Sequence, residues 1–469
     1  MAKAIVIGTG IGGAGISGLL AKEGYEVTVF ERNEFPGGKT SMYERDGFQV
    51  DMSVHISARG ENGPIGMLAR RLDADLEFLM REPWRLMVGE KSCNLPLAFT
   101  KPTALIKIAL LVGAKPWNAI GALRLFLKIL SIKDKSDLDP YYGTPASKFI
   151  HGFTKDENLY IFLNIMGGLM FVIPASEAST AEFLWAMSNW CHDASTAYPR
   201  GGFGRIPCSF LDACEKHGGE LRLGEPVSRI VVEKGTVMGV ETEKGFYPSD
   251  IVVSDAGIRN TVELAGTGNF DPEYAKRISE LIDSDGAVTV KYALDYKPTD
   301  AIVSVYIPKG FIYEDYRASL EAGNIPQDPA LYMVSPTVAD PDLAPPGKHL
   351  LLVCAAVPPS LAHSDAATRM SEVVDRRMSE LFPGIEEHTV WKHKTSLEFI
   401  SMMGGRGAGE AIGLAQRYDQ DGANSVNPAL PVKGLYAVGV DAGGMGIGTE
   451  RAADSAMNVF DRIVADAGS

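Results

Sequence analysis

An apolar run, Ala4-Ile5-Val6-Ile7, opens directly into Gly8-Thr9-Gly10-Ile11-Gly12-Gly13-Ala14-Gly15-Ile16-Ser17-Gly18. A buried strand delivered into a side-chain-free turn predicts a strand–turn–helix unit whose backbone can approach an anion. Three overlapping G-x-G-x-x-G registers fit, and the strand selects among them. The first glycine must make the tight turn directly after the last strand residue, and Ile7 is that residue. Gly8, Gly10 and Gly13 therefore take the roles of turn, close approach to a pyrophosphate, and packing of helix on strand. Apolar Ile16, Leu19, Leu20 and Tyr25 lead back to a second strand, Val27-Thr28-Val29-Phe30, which ends in Glu31, 21 residues after Gly10. An acid there accepts from the hydroxyls of an unphosphorylated adenosine ribose and repels a 2′-phosphate. The pattern predicts a dinucleotide-binding, Rossmann-type α/β unit.

The next residues choose the dinucleotide. Arg32-Asn33-Glu34-Phe35-Pro36-Gly37-Gly38-Lys39, followed by strand-like Gly47-Phe48-Gln49-Val50-Asp51, resembles the FAD-binding arm of glutathione-reductase-like flavoproteins. Backbone N–H groups at Gly37 and Gly38 would come close to the flavin side of the cofactor, and Lys39 would neutralise pyrophosphate charge. No second fingerprint follows, so one nucleotide cofactor is expected, without a separate NAD domain.

Two later segments extend the unit. The first runs from Tyr198-Pro199-Arg200-Gly201-Gly202-Phe203-Gly204-Arg205-Ile206-Pro207 into an amphipathic helix, a turn at His217-Gly218-Gly219 and two alternating stretches over 226–233 and 237–242. It closes on Asp250-Ile251-Val252-Val253-Ser254-Asp255-Ala256, and its helix, β-meander and buried strand are expected to complete the N-terminal sheet. The second is a strand over 434–441 that ends in Asp441, a glycine loop, and a helix from Thr449 through Ile463. Asp441 is expected to accept from a ribityl or ribose hydroxyl. Gly448 and Thr449 would start a helix whose positive end faces the reduced flavin N1–C2=O edge.

Together these three segments resemble the phytoene desaturase family, the carotenoid desaturase, isomerase and retinol-saturase-like group related to the amine oxidases. The resemblance implies a discontinuous, Rossmann-type FAD-binding domain of glutathione-reductase-like topology with an inserted α+β substrate domain. It also places Arg32, Gly38, Lys39, Val227, Asp441, Gly448 and Thr449 on FAD beside Gly8, Gly10, Gly13 and Glu31. Two departures fall where the ring would lie: Val440 separates Gly439 from Asp441, and Ser53 then His55 follow Asp51 where the family has a glycine two residues on. His55 is the best candidate for a catalytic residue, with a satisfied structural histidine as the competing reading.

Composition bounds the rest. The 469 residues predict two or three domains, read as 1–84, 196–265 and 426–469 for FAD and 85–195 with 266–425 for substrate, with helices over a mixed sheet. Net charge −14 argues against a nucleic-acid partner. Five cysteines without a CxxC pair indicate reduced thiols rather than a disulfide frame or zinc site. None follows Cys354, so FAD is expected to be non-covalent. With no signal peptide recognised, a cytoplasmic protein is expected. Residues 101–135 carry seven Lys/Arg against one Asp, and Ala119–Ile132 is apolar nearly all round. That stretch reads as a monotopic patch on the inner face of a membrane, against a competing reading of core-packed helices with snorkelling lysines. A second glycine cluster, 399–413, reads as a loop close to the ring, a mobile lid, or a plain connector.

The function expected is FAD-dependent desaturation of an apolar isoprenoid, carotenoid or terpene-like substrate, by hydride transfer to flavin N5. A quinone, a partner protein or oxygen would reoxidise it. Alternatives are a flavin amine oxidase, a flavin-dependent isomerase or saturase of polyenes, and a non-catalytic prenyl-lipid carrier.

Overall fold

A computed structural model describes residues 2–80, 84–95, 102–193, 195–407 and 409–467. Lys101 and Ala408, within the two stretches singled out above, lie outside the described residues. Two sheets organise the chain. The first is parallel throughout, with strands in the spatial order Leu435–Ala437, Ile251–Ser254, Lys3–Ile7, Glu26–Phe30 and Glu220–Arg222. Its central strands read as unbroken apolar runs because both faces are buried. Ala4 and Val6 belong to the larger apolar core, while Ile5 and Ile7 on the opposite face belong to a second, smaller one. The helix Ile11–Glu23 leaves the central strand and packs against Arg205–Lys216 and Gly448–Ala467, so all three sequence segments meet on it.

Two expectations are corrected here. The meander does not join the N-terminal sheet; Arg229–Glu233, Thr236–Thr242 and Gly245–Pro248 form an antiparallel sheet of their own. The fifth position is taken instead by Glu220–Arg222, a three-residue edge strand too short to carry a readable alternation. The strand expected over 434–441 is also shorter, Leu435–Ala437, because Gly439 turns the chain with φ +98°.

The second sheet is mixed. Its order is Thr389–Thr395, Gly286–Leu294, His349–Val357, Leu331–Val334, Val303–Ile307, Trp84–Val88 and Lys91–Leu95. Only the Val303–Ile307 and Trp84–Val88 pair is parallel. Helices Glu157–Phe171, Thr180–His192 and Tyr313–Glu321 contribute side chains that face this sheet across a cavity. Outside them, Pro102–Val112 packs on Glu157–Phe171 and Ala119–Leu130 packs on Thr180–His192. Among the described residues no helix is long and apolar enough to cross a membrane.

Candidate functional site

One cavity of about 870 Å³ runs from the glycine loop to the face of the mixed sheet. Gly8, Gly10, Glu31, Arg32, Gly38, Lys39, Val227, Gly448, Thr449 and His55 all line it. Parallel topology brings them together, since the loops leaving Lys3–Ile7, Glu26–Phe30 and Ile251–Ser254 open at the same sheet edge. Gly13 stands behind the wall rather than on it. A Cβ there would land on the Gly8 carbonyl oxygen, so its glycine keeps helix and strand in contact. Gly10 precedes the helix without any side-chain cap, leaving the N-terminal end of Ile11–Glu23 open to the cavity as an anion cradle.

Glu31 is buried beside the loop. Its carboxylate accepts from Thr9 N–H at 3.1 Å, Thr9 Oγ1 at 2.6 Å and Asn33 N–H at 2.9 Å. A carboxylate has roughly four acceptor sites, so the protein fixes its orientation and leaves capacity for a ribose hydroxyl. Thr9 Oγ1 also accepts from Gly37 N–H at 3.1 Å, tying the loop to the Gly37–Gly38 arm. The fingerprint gives its glycines roles and Thr9 none, yet Thr9 sits between two of them and joins loop, acid and arm.

A buried ionic chain crosses the cavity wall. The Lys39 ammonium lies 3.2 Å from Glu410 Oε1, Arg406 Nε lies 3.1 Å from the same oxygen, and the Arg406 guanidinium also binds Asp441. Arg406 comes from the second glycine cluster, which lines the cavity through Gly404, Gly405 and Gly409 and so is no plain connector. Arg32 donates to the Met402 carbonyl and Asn33 Nδ2 to Met403 O at 3.3 Å, clasping that segment against the loop.

Asp441 requires a correction. Val440, not Asp441, lines the cavity. The Asp441 carboxylate is turned inward, accepting from Ile258 N–H at 2.9 Å, Leu414 N–H at 3.2 Å and Arg406. Burial alone would raise its pKa, but Arg406 and these amides outweigh it and hold the carboxyl below the usual range.

Asp255 was also overlooked as a site group. It follows Ile251–Ser254, lines the cavity and accepts from Gly13 N–H at 3.0 Å. Burial pushes its pKa up to about 7, against the opposing pull of that N–H and of Arg406. His55 lies on the wall with Nε2 3.2 Å from the Lys39 carbonyl oxygen and its ring 5.1 Å from Phe203. Burial lowers its pKa to about 4, so the imidazole is neutral at neutral pH. Farther along, Ser57 Oγ donates to Glu450 at 2.9 Å and Arg59 to Asn189 Oδ1 at 3.2 Å, while Trp84 and Trp190 bring the wall to the mixed sheet.

An uncapped helix start, an oriented acid at the second strand end, and a second helix start at Gly448 fit a dinucleotide laid across the sheet edge. The chain is 24% identical to a zeta-carotene-forming phytoene desaturase of Myxococcus xanthus, covering 93% of this chain and 89% of that protein. It is 25% identical to an all-trans-retinol 13,14-reductase of Danio rerio, covering 75% and 65% respectively. Its fold is similar to that of an oxidoreductase from Methanosarcina mazei, at TM-score 0.78 and 22% identity over 98% and 100% of the two chains. Residues 18–459 match the description "Flavin containing amine oxidoreductase". The cofactor is FAD. On a match that spans nearly the whole chain, the protein belongs to the flavin containing amine oxidoreductase family.

Proposed function

We propose that the protein is an FAD-dependent desaturase acting on CH–CH groups of an apolar isoprenoid, carotenoid or terpene-like substrate. The observation that carries this reading is the continuity of the cavity from the nucleotide loop to an apolar chamber over the mixed sheet. Supporting it are relatives named for carotenoid and retinol chemistry. When bound, FAD supplies hydride acceptance at N5, and the substrate proton leaves to solvent as the new C=C bond forms.

The chain's own residues bind, orient and exclude water. Gly8, Gly10 and Gly38 present backbone, Glu31 receives ribose, and Lys39 and Arg32 supply positive charge beside the phosphates. Val227 and Thr449 complete the walls, and Gly448 opens the last helix toward the ring. Asp441 acts indirectly, by holding Arg406. His55, neutral at neutral pH, lines the cavity and is the candidate residue beside the ring. Segments 1–84, 196–265 and 426–469 form the FAD-binding domain and 85–195 with 266–425 the substrate domain in this reading. Substrate electrons leave by way of a quinone, a partner protein or oxygen.

We also read the outer helices as a peripheral membrane contact. Leu110, Trp117 and Ile120 are 72%, 76% and 75% exposed, and Ile106, Leu123 and Leu127 are exposed beside them. Lys107, Lys115 and Arg124 stand among them, a composition that suits an anionic bilayer surface.

The test is anaerobic mixing of the holoprotein with polyenes and with amines while flavin absorbance is followed. Bleaching by a desaturable polyene is the expected result. Bleaching by amines alone overturns the reading.

A further inference from the structure

Strand register places an unusual row on the floor of the apolar chamber. Thr395 stands opposite Thr289, Thr289 opposite Cys354, and Cys354 opposite Tyr332, on four neighbouring strands. Residues directly opposite share a face of the sheet. One line of polar and polarisable side chains therefore crosses this face, flanked on one side by the row of Leu352, Lys291 and His393. The adjacent row is small, with Ala287 opposite Ala356, which leaves space above the floor.

Thr289, Cys354 and Tyr332 line the cavity, and among the described residues their side chains make no hydrogen bond to protein. Thr395 Oγ1, at the end of the row, is buried and unpartnered. Neighbouring polar groups are treated differently. The Tyr313 hydroxyl donates to Asp285 at 3.0 Å, the Tyr316 hydroxyl to Ala356 O at 2.6 Å, and Trp84 Nε1 to Thr196 Oγ1 at 2.7 Å. A hydroxyl facing the chamber loses its water without recompense once a purely apolar ligand fills that space. A chamber meant for hydrocarbon alone would hold valine and phenylalanine here at no such cost.

We infer that this row recognises a neutral oxygen function, a hydroxyl or carbonyl, on the substrate. The inference rests on the apolar-substrate reading above and narrows it to oxygenated lipophiles. Tyr332 can donate and accept, and burial raises its pKa so that it stays protonated. No cation belongs to the row. Lys291, two residues along the same strand from Thr289, donates to Met52 O at 2.7 Å and is not on the cavity wall. A carboxylate would therefore lie there unpaired, and a neutral group is favoured.

The test is equilibrium binding to the holoprotein, read from quenching of Trp84 and Trp190, which line the cavity. The probes are a polyene hydrocarbon and the terminal alcohol of the same carbon chain. We expect the alcohol to bind about tenfold more tightly, as a charge-free hydrogen bond to a buried partner allows. Tyr332→Phe and, independently, Thr289→Val should each reduce that preference, by weakening the alcohol rather than the hydrocarbon. Equal affinity for the two probes in the unaltered protein, or an alcohol preference untouched by both substitutions, overturns the inference but not the desaturase reading. Failure of both probes to bind overturns the two together.

Discussion

Gly13 and Asp255 show how single residues set the nucleotide loop. A methyl group at Gly13 meets the Gly8 carbonyl oxygen, whereas a Cβ at Gly268 meets nothing within 4 Å. Gly13→Ala should therefore destabilise by about 1–3 kcal/mol through overpacking and reduce the flavin that copurifies, while Gly268→Ala leaves both unchanged. Thermal melts and the flavin-to-protein absorbance ratio check this. Asp255 has its pKa raised from 3.8 to about 7, so between those values the native state holds a proton that the unfolded chain has released. Its contribution is fully present below the unfolded pKa and is lost as pH rises through about 7. Asp255→Asn keeps an acceptor for Gly13 N–H and removes the titration. Its melting temperature should gain on the unaltered protein as pH rises across that window; a constant difference would show that Asp255 does not titrate there. The placement of Gly8, Gly10, Gly13 and Glu31 around one loop was legible in the sequence because it is local. The inward turn of Asp441 was hidden, since Arg406 reaches it from a separate loop 35 residues away.

Elements were readable in proportion to their length and to the locality of their partners. The helix Ile11–Glu23 and the strands on either side declare themselves by pattern. Glu220–Arg222 does not, because three residues at a sheet edge carry too little periodicity, and the meander gave no sign that it would pair only with itself. The row on the mixed sheet was invisible for a related reason: its residues belong to four strands spread over residues 289–395 and become neighbours only through register. The outer helices invite an experiment at this scale. Within Ala119–Leu130, Leu125 and Ile129 are buried while Ile120, Leu123 and Leu127 face outward. Combined Trp117→Ser and Ile120→Ser should weaken binding to anionic vesicles more than tenfold, because a large apolar side chain is worth roughly 1.5–3 kcal/mol on full burial. Vesicle flotation measures it. If the unaltered protein fails to float with such vesicles, the membrane reading falls.

Across the whole molecule, net charge −14 and a basic, apolar outer flank coexist, and the average conceals the exception. The helices beneath that flank, Glu157–Phe171 and Thr180–His192, also supply cavity walls, so the proposed bilayer face and the substrate chamber are separated by one layer of helix. The parallel sheet has a consequence for the chain's own history. Its neighbouring strands are drawn from residues 3–7, 251–254 and 435–437, and its central helix is covered by Gly448–Ala467. During synthesis the glycine loop is made well before residues 251–254, 435–437 and 448–467, which complete its surroundings. Such long-range pairing is slow and leaves apolar strand edges exposed in the interval. The nascent chain must therefore carry an unfinished nucleotide site until residues 448–467 have emerged.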